Sequence, residues 1–275
     1  MSALQTLIIN LKRQPERRAY AQSESLRCGL RPVILDATDA RQLTASWIEQ
    51  NTTADLQEKL RLPSYHSMNP GALACADSHR RAWGELLKLQ RFPALILEDD
   101  FFWLEAPNAV LRALAAVADS DFDIILLGYS PRHRFPIQQL STSISPDGHF
   151  VIPYQLVGRT SGSYAYLLSK RGAERLLTVQ SVTIDREADD FAAELKRQGD
   201  QIRLGLMYPP LVHHGLFDSS IWSTSLTLRH ALKRCINSAC VRSTVLRRVL
   251  SWAMKRRLRR NYAKTGESSQ GHSGT

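Results

Sequence analysis

The sequence has few cysteines, no long apolar run and no glycine-rich phosphate loop. Its 4 cysteines among 275 residues show no CxxC spacing, which predicts reduced thiols in a cytoplasmic protein. No segment approaches the ~20 apolar residues of a membrane span, and the first residues lack the basic and apolar regions of a signal peptide, so we expect neither insertion nor export. The motifs GxGxxG, GxxxxGKS and GxxxxGKT are absent, so a bound nucleotide would have to be held by a metal ion and side chains.

Acidic residues are scarce at one end of the chain. Residues 224–275 hold 12 Lys and Arg against 1 acid, whereas residues 1–223 hold 24 against 25, so the net charge of +10 belongs to the end. A neutral body of this size can bury a core without disulfides or metals. The local excess predicts a basic appendage for an anionic surface, rather than a chain that binds nucleic acid along its whole length.

Apolar runs that alternate with helical patterns predict an α/β fold. Strands are predicted at 6–11, 32–37, 94–100, 123–128, 164–169 and 202–206, and helices from 15, over 70–91, 107–118, 172–179 and 188–198. This alternation is typical of a mostly parallel sheet flanked by helices, with 38–68 as an irregular or short-helical insertion. We divide the chain into a domain at 1–223, a basic amphipathic helical extension at 224–264 and a disordered tail at 265–275.

The sharpest motif is the acidic triplet Glu98-Asp99-Asp100, which follows a wholly apolar run. Side chains alternate along a strand, so Glu98 and Asp100 are expected on one face and Asp99 on the other. Such a triplet can be a solvated turn that caps the next helix. Its place at the carboxyl edge of a sheet, where α/β proteins bind ligands, favours instead a site for a hard divalent cation.

Three arginines follow the first predicted strand. Arg13, Arg17 and Arg18 flank a helix start, a position that suits phosphate oxygens because helix N-termini and guanidinium groups both attract anions. A solvated helix face is the alternative interpretation of the same run.

Two histidine positions have open interpretations. His79 lies on the apolar side of its helix, four residues before Trp83, where a buried structural histidine is expected. The pair His213-His214 follows an extended segment, and one of the two is either a metal ligand or part of a surface loop.

The order of these motifs resembles glycosyltransferase family 25, which includes bacterial lipopolysaccharide galactosyltransferases. The segments that carry the resemblance are 8–13 (IINLKR), 15–18 (PERR), 70–79 (PGALACADSH) with Trp83, 95–100 (LILEDD), 123–128 (DIILLG), 162–169 (GSYAYLLS), 172–177 (GAERLL), 189–191 (DDF), 209–212 (PPLV) and 220–221 (SI). The resemblance covers roughly residues 4–222.

The resemblance implies a GT-A-like fold of the Rossmann type and a nucleotide-sugar donor, in the first place UDP-galactose. It also implies a divalent cation, usually manganese, that bridges an acidic motif to the diphosphate. The metal ligands that it implies are Asp100 and Glu98. The pair His213-His214 stands where the family is expected to carry a glutamine-containing segment, and His213 is our candidate for the third ligand. The donor-binding residues that it implies are Asn10, Arg13, Arg17, Ser78, His79, Glu98, Asp99, Gly162 and Ser163.

Transfer of a sugar sets two chemical demands. The leaving diphosphate gains negative charge, which a carboxylate-held cation and arginines would stabilise. An inverting transfer also needs a carboxylate that takes the proton from the acceptor hydroxyl. The acidic stretch 185–190 is typical of a first helical turn, and it also supplies the candidate catalytic base, Asp190 or Asp189.

The basic extension indicates where the acceptor lies. A lipopolysaccharide or lipooligosaccharide core is anchored in the inner membrane, so we expect residues 225–264 to bind its anionic cytoplasmic face, at about 1 kcal/mol per nearby Lys or Arg. The enzyme would then be cytoplasmic and peripherally attached. The alternative for the extension is a helix packed on the body with a solvated basic face.

Two other functions compete with a transferase. The extension could bind nucleic acid without sequence preference, although no specific nucleic acid is expected, because only Trp252 and Tyr262 are available there for stacking. A non-catalytic binding protein of the same family is the second alternative, and the retained acidic triplet counts against it.

Overall fold

The computed structural model describes residues 4–62, 68–131, 148–156, 160–180, 183–188, 190, 202–214, 217 and 243–263. Within them, a seven-stranded sheet packs against helices, which confirms the α/β class. None of the described helices is long and apolar enough to cross a bilayer. The helix predicted at 188–198 and the tail at 265–275 lie almost wholly outside the described residues, and the boundaries of the three segments stay predictions.

The central sheet is mostly parallel. Its strands are β1 (Gln5–Asn10), β2 (Pro32–Asp36), β3 (Ala94–Glu98), β5 (Ile124–Leu126), β7 (Phe150–Pro153), β9 (Ala165–Leu168) and β10 (Leu204–Tyr208), and two-stranded ribbons join β4 (Phe101–Trp103) to β11 (Val212–His214) and β6 (Ser130–Pro131) to β8 (Thr160–Ser161). The strand order is β2-β1-β3-β9-β5-β10-β7. Five of these strands run in one direction, while β9 and β7 run in the other.

The helices cover both faces of this sheet. They are α1 (Pro15–Arg27), α2 (Ala45–Asn51), α3 (Ala54–Leu60), α4 (Pro70–Leu89), α5 (Pro107–Ala118), α6 (Lys170–Gln180) and α7 (Thr244–Ala263), with 3-10 turns at Ala40–Gln42 and Tyr154–Leu156. In β1, Ile8 packs in one apolar cluster with Val110 of α5, whereas Leu7 and Ile9 pack in another with Trp83 of α4. Burial on both faces explains why the predicted strands are continuously apolar.

Local chemistry sets the ends of α4, the longest helix beside the site. The Asn69 side chain accepts a hydrogen bond from the Ala72 amide at 3.0 Å, and Pro70 occupies the first helical position, as the sequence predicts. Thr44 and Thr53 cap α2 and α3 in the same way. The expected short-helical insertion is therefore confirmed.

A buried carboxylate joins three elements near the start of β5. Asp123, just before β5, accepts hydrogen bonds from Arg171 Nε at 2.6 Å, Ser169 Oγ at 3.2 Å and the Arg203 amide at 2.8 Å. The start of α6 lies so close that a Cβ on Gly172 would be 2.5 Å from the Asp123 carbonyl oxygen. This contact fixes α6 and β10 against β5.

The described part of the basic extension packs on the body through one face of α7. Leu250 and Met254 contact the main apolar cluster, and Ser251 Oγ donates to the Trp103 carbonyl at 3.1 Å. Another face remains open, with Val245 65% and Trp252 60% exposed. The helix α7 therefore has one face packed on the body and an exposed apolar surface on another.

Candidate functional site

The acidic triplet lies where β3 ends. Glu98 is the last residue of β3, while Asp99 and Asp100 form a turn before β4. The expectation that Glu98 and Asp100 share one strand face is therefore wrong, because strand alternation stops at Glu98. Asp99 and Asp100 both point to Arg17, and Glu98 points to a different group of side chains.

Residues of β1 and α1 hold Asp99 and Asp100. Arg17, 9% exposed, forms ion pairs with Asp99 and, at 3.5 Å, with Asp100 Oδ2. Asn10 is buried and donates from Nδ2 to Asp99 Oδ2 at 2.6 Å. The Asn10 oxygen in turn accepts from Arg18 Nε at 3.0 Å. The pattern of arginines after β1 thus serves, at Arg17, to neutralise the carboxylates.

The electrostatics of this corner favour the protonated form of Asp99. Burial, with the nearby carboxylates of Asp100 and Glu98, raises the pKa of Asp99 to about 6, although Arg17 and the Asn10 hydrogen bond act in the opposite direction. Among the described ion pairs, Arg17 is the one guanidinium that meets the triplet. A bound cation would relieve this repulsion.

Glu98 is held by a separate polar group. Ser163 Oγ lies 3.3 Å from Glu98 Oε1, and His79 Nε2 lies 3.4 Å from the same oxygen. Burial alone would raise the pKa of Glu98, but His79, His214 and Arg17 outweigh that effect and lower it. With 27% of its side chain exposed, against 7% for Asp99 and 12% for Asp100, Glu98 is the most open carboxylate of the triplet.

A buried hydrogen-bonded chain lies behind His79. Trp83 Nε1 donates to the Tyr166 oxygen at 2.8 Å, and that hydroxyl lies 2.9 Å from His79 Nδ1. If Tyr166 donates to Nδ1, the ring proton is on Nε2 and faces Glu98. The sequence correctly placed His79 on the buried side of α4, where it is 1% exposed. His79 contacts the acidic motif through Glu98, and its role in donor binding stays a prediction.

Gly162 and Ser163 are the residues at which the 162–169 segment reaches the site. Gly162 has φ +108°, and a Cβ there would lie 2.6 Å from the Tyr164 ring. The Tyr164 ring stacks on His214 with 4.3 Å between centroids. The close packing of Gly162 and Tyr164 places Ser163, which lies between them in sequence, next to Glu98.

His213 and His214 lie together on β11, beside Tyr164. Their rings stack on each other with 5.4 Å between centroids, and both residues are half-buried. His213 Nδ1 accepts from the His214 amide at 2.8 Å. Neither histidine forms a compact group of ligand atoms with Glu98 and Asp100 among the described residues, so His213 as third ligand stays a prediction.

Two other predicted donor-binding residues are engaged in local structure. Arg13 Nε donates to Asp39 at 2.8 Å, and hydrogen bonds from Arg41 and Arg13 hold the pKa of Asp39 well below its usual range despite its burial. Ser78 donates to the Ala74 carbonyl at 2.6 Å and accepts from the Thr38 amide at 2.9 Å. Ser78 thus fastens the loop after β2 to α4.

The candidate catalytic bases are the least defined part of the site. Asp190 follows a turn in which its amide donates to the Glu187 carbonyl at 3.3 Å, and Asp189 lies outside the described residues. Ile184, at the start of the same stretch, pairs with Thr52 beside α2. Either aspartate stays a prediction as the base.

Sequence reasoning missed Tyr166 and Tyr164 as partners of the site and gave Trp83 no role there. The spacing of His79 and Trp83 on one helical face indicated a shared neighbour. The identity of that neighbour depends on β9 lying next to β3, which no local pattern indicates.

Comparison with known proteins decides the family. The model of the family described as "Glycosyltransferase family 25 (LPS biosynthesis protein)" matches residues 3–192, which is more than half of the chain and contains the triplet, Asn10 and Arg17. The chain belongs to glycosyltransferase family 25. The family implies a sugar donor and an acceptor.

Curated relatives of this family-25 protein come from animals. A "Glycosyltransferase 25 family member" of Drosophila pseudoobscura pseudoobscura is 26% identical over 189 residues, 67% of this chain and 28% of that protein. "Procollagen galactosyltransferase 1" of Danio rerio is 26% identical over 196 residues, 68% and 30% of the two chains. "Inactive glycosyltransferase 25 family member 3" of Mus musculus is 25% identical over 194 residues, 68% and 31%. This chain therefore matches less than a third of the length of these relatives.

Proposed function

We propose that this family-25 protein is an active, metal-dependent galactosyltransferase. It takes UDP-galactose as donor and a lipopolysaccharide or lipooligosaccharide core as acceptor, with inversion at the anomeric carbon. The observation that carries the proposal is the acidic triplet at the carboxyl end of β3, where Asn10 at the end of the neighbouring strand β1 and Arg17 of α1 hold Asp99. The mouse relative named inactive makes activity itself the first thing to test.

The donor set fits a hard divalent cation such as Mn²⁺. Three carboxylates lie in succession at the end of β3, and carboxylate oxygens are the ligands that such ions prefer. We assign Glu98 and Asp100 as ligands and propose that one ring of the His213-His214 pair supplies the third. When bound, the cation would neutralise the diphosphate leaving group.

The protein's own residues then position the reaction. Asp99 has a structural role, because its Oδ2 accepts a hydrogen bond from Asn10 and its Oδ1 pairs with Arg17. Arg17 holds Asp100 in place through the same guanidinium. Ser163 and His79 fix the direction of the Glu98 carboxylate. Asp190 remains our candidate for the base that accepts the proton of the acceptor hydroxyl.

The outer face of α7 supports a membrane-bound acceptor. Val245, Val249 and Trp252 recur at helical spacing and are each more than half exposed, while α7 carries seven Lys and Arg and no acid. An amphipathic basic surface of this kind binds an anionic bilayer through both charge and apolar contact. We propose that α7 places the enzyme on the cytoplasmic face of the inner membrane.

Hydrolysis of UDP-galactose with and without Mn²⁺ tests the enzymatic proposal, and a screen of other UDP-sugars identifies the donor. Asp100→Ala is expected to abolish Mn²⁺-dependent turnover while circular dichroism stays unchanged. Asp55→Asn, which removes an exposed carboxylate paired with Lys59, is the matched control and is expected to retain activity. Full activity in Asp100→Ala, or none in wild type with every donor, would contradict the proposal.

Sedimentation of the full chain with phosphatidylglycerol vesicles tests the membrane proposal. Binding is expected at low salt, with a decrease at high salt and in Trp252→Ala. Failure of the wild type to sediment with the vesicles at low salt would overturn the membrane proposal. Binding to tRNA with a higher affinity than to the vesicles would favour nucleic acid as the partner instead.

A further inference from the structure

Cys75, His79 and Glu98 form a second group of metal-binding side chains. Their ligand atoms all lie within 4.8 Å of one another, and no other trio of this kind is found in the described part of the chain. Cys75 and His79 are four residues apart in α4 and so project from one face of the helix. Glu98 meets them from the end of β3.

The distances suit a tetrahedral ion better than a direct hydrogen bond. His79 Nε2 lies 3.4 Å from Glu98 Oε1, which is longer than the roughly 2.7–3.2 Å of an ordinary N–H···O bond. Two ligands on one tetrahedral Zn²⁺, with bonds of about 2.0–2.1 Å, are separated by about 3.4 Å. Ser163 Oγ lies at 3.4 Å and 3.3 Å from the same two atoms, so three polar atoms surround one small space.

The chemistry of these ligands differs from that of the acidic triplet. A thiolate and an imidazole favour Zn²⁺ or Co²⁺, whereas carboxylates alone favour Mn²⁺ or Mg²⁺. His79 also has the outer partner that a metal-bound histidine needs, because its Nδ1 lies 2.9 Å from the Tyr166 oxygen, which can accept the Nδ1 proton.

An ion can reach this group from solvent. Cys75 is a partly exposed thiol that is not in a disulfide, and the Glu98 side chain is 27% exposed. His79 is buried behind them at 1%. The metal would therefore enter between Cys75 and Glu98.

We propose that Cys75, His79 and Glu98 bind Zn²⁺ and that this binding inhibits the enzyme. The Cys75 thiol would release its proton on binding, and the His79 proton would move from Nε2 to Nδ1. Since Glu98 cannot serve both metals fully, Zn²⁺ removes a ligand from the Mn²⁺ site. The inhibition rests on the proposed function, whereas the binding of Zn²⁺ does not.

Cobalt spectroscopy tests the site without any activity assay. Co²⁺ added to the full chain is expected to give a near-ultraviolet thiolate-to-cobalt band and intense visible bands of tetrahedral Co²⁺, both removed by Zn²⁺. Cys75→Ser is expected to lose the thiolate band, and the matched control, Cys235→Ser with Cys240→Ser, to keep it. Absence of the band in wild type, or its persistence in Cys75→Ser, would overturn the proposal.

Inhibition is measured separately. The Zn²⁺ concentration that halves Mn²⁺-dependent hydrolysis is expected to rise about tenfold or more in Cys75→Ser, while activity without Zn²⁺ stays near wild type. Equal inhibition of both proteins would refute the inhibitory role. If wild type hydrolyses no UDP-sugar, the proposed function fails while the cobalt spectrum still decides the zinc site.

Discussion

Removal of the Arg17 guanidinium is expected to destabilise the protein strongly. Arg17→Met keeps the apolar stem but removes the guanidinium that pairs with the carboxylates of Asp99 and Asp100, both under 9% exposed. Loss of one member of a buried ion pair costs about 3–5 kcal/mol. A domain of this kind has roughly 5–15 kcal/mol of unfolding free energy, so the variant should fold but with a much lower urea midpoint.

The loss should depend on pH in a definite direction. The pKa of Asp99 is about 6 in the folded protein, above its value of about 3.9 in an unfolded chain. Without Arg17 the folded-state pKa rises further, so the folded state of the variant binds the proton more tightly than the unfolded state. Its stability must then fall as pH rises through this range. The difference from wild type should be small at pH 5 and large at pH 8.

Urea unfolding followed by tryptophan fluorescence at pH 5 and pH 8 measures both effects. Arg203→Met is the matched control, because the Arg203 side chain pairs with Asp121, whose side chain is 91% exposed, and such pairs contribute about 0–1 kcal/mol. The reasoning is refuted if the two variants lose the same stability at pH 8, or if the loss in Arg17→Met does not change with pH.

Three further predictions concern the scaffold. Asp123→Ala should lower the unfolding free energy by about 1.5–3 kcal/mol in urea titrations, because it removes the buried carboxylate that accepts hydrogen bonds from Arg171 and from the Arg203 amide; a loss under about 0.5 kcal/mol would contradict this. Gly172→Ala should lower the unfolding free energy by about 1–3 kcal/mol, because the new Cβ would lie 2.5 Å from a backbone oxygen. Gly84→Ala, in the middle of α4 with nothing within 4 Å of the new Cβ, should raise the unfolding free energy by about 0.5–1 kcal/mol. Melting curves that show the reverse order of stability would refute this. Burial raises the pKa of Cys28 to about 11, so iodoacetamide at pH 8 should label partly exposed Cys75 first, as peptide mass spectrometry would show.

The scaffold was largely predictable from the sequence because its causes are local. The apolar run of β3 predicts a buried strand, and Asn69-Pro70 predicts the start of α4. The structure confirms both. The antiparallel insertion of β9 between β3 and β5 was not predictable, because strand order depends on long-range packing. The same insertion places Tyr166 behind His79, 87 positions away in sequence.

The site was predictable in its residues but not in its geometry. Periodicity placed Glu98 beside Asp100, yet the strand ends two residues earlier than expected, which sends them to different partners. The stacking of the His213 and His214 rings beside Tyr164 was likewise not predictable, because it depends on the pairing of β11 with β4.

Isothermal titration of UDP into the folded protein, with and without Mn²⁺, tests most directly whether the triplet at the end of β3 holds a cation that grips a diphosphate. The account predicts binding that Mn²⁺ strengthens in wild type and in Asp55→Asn, and no Mn²⁺ effect in Asp100→Ala. UDP binding that is equally strong without metal, or an unchanged Mn²⁺ effect in Asp100→Ala, would contradict it.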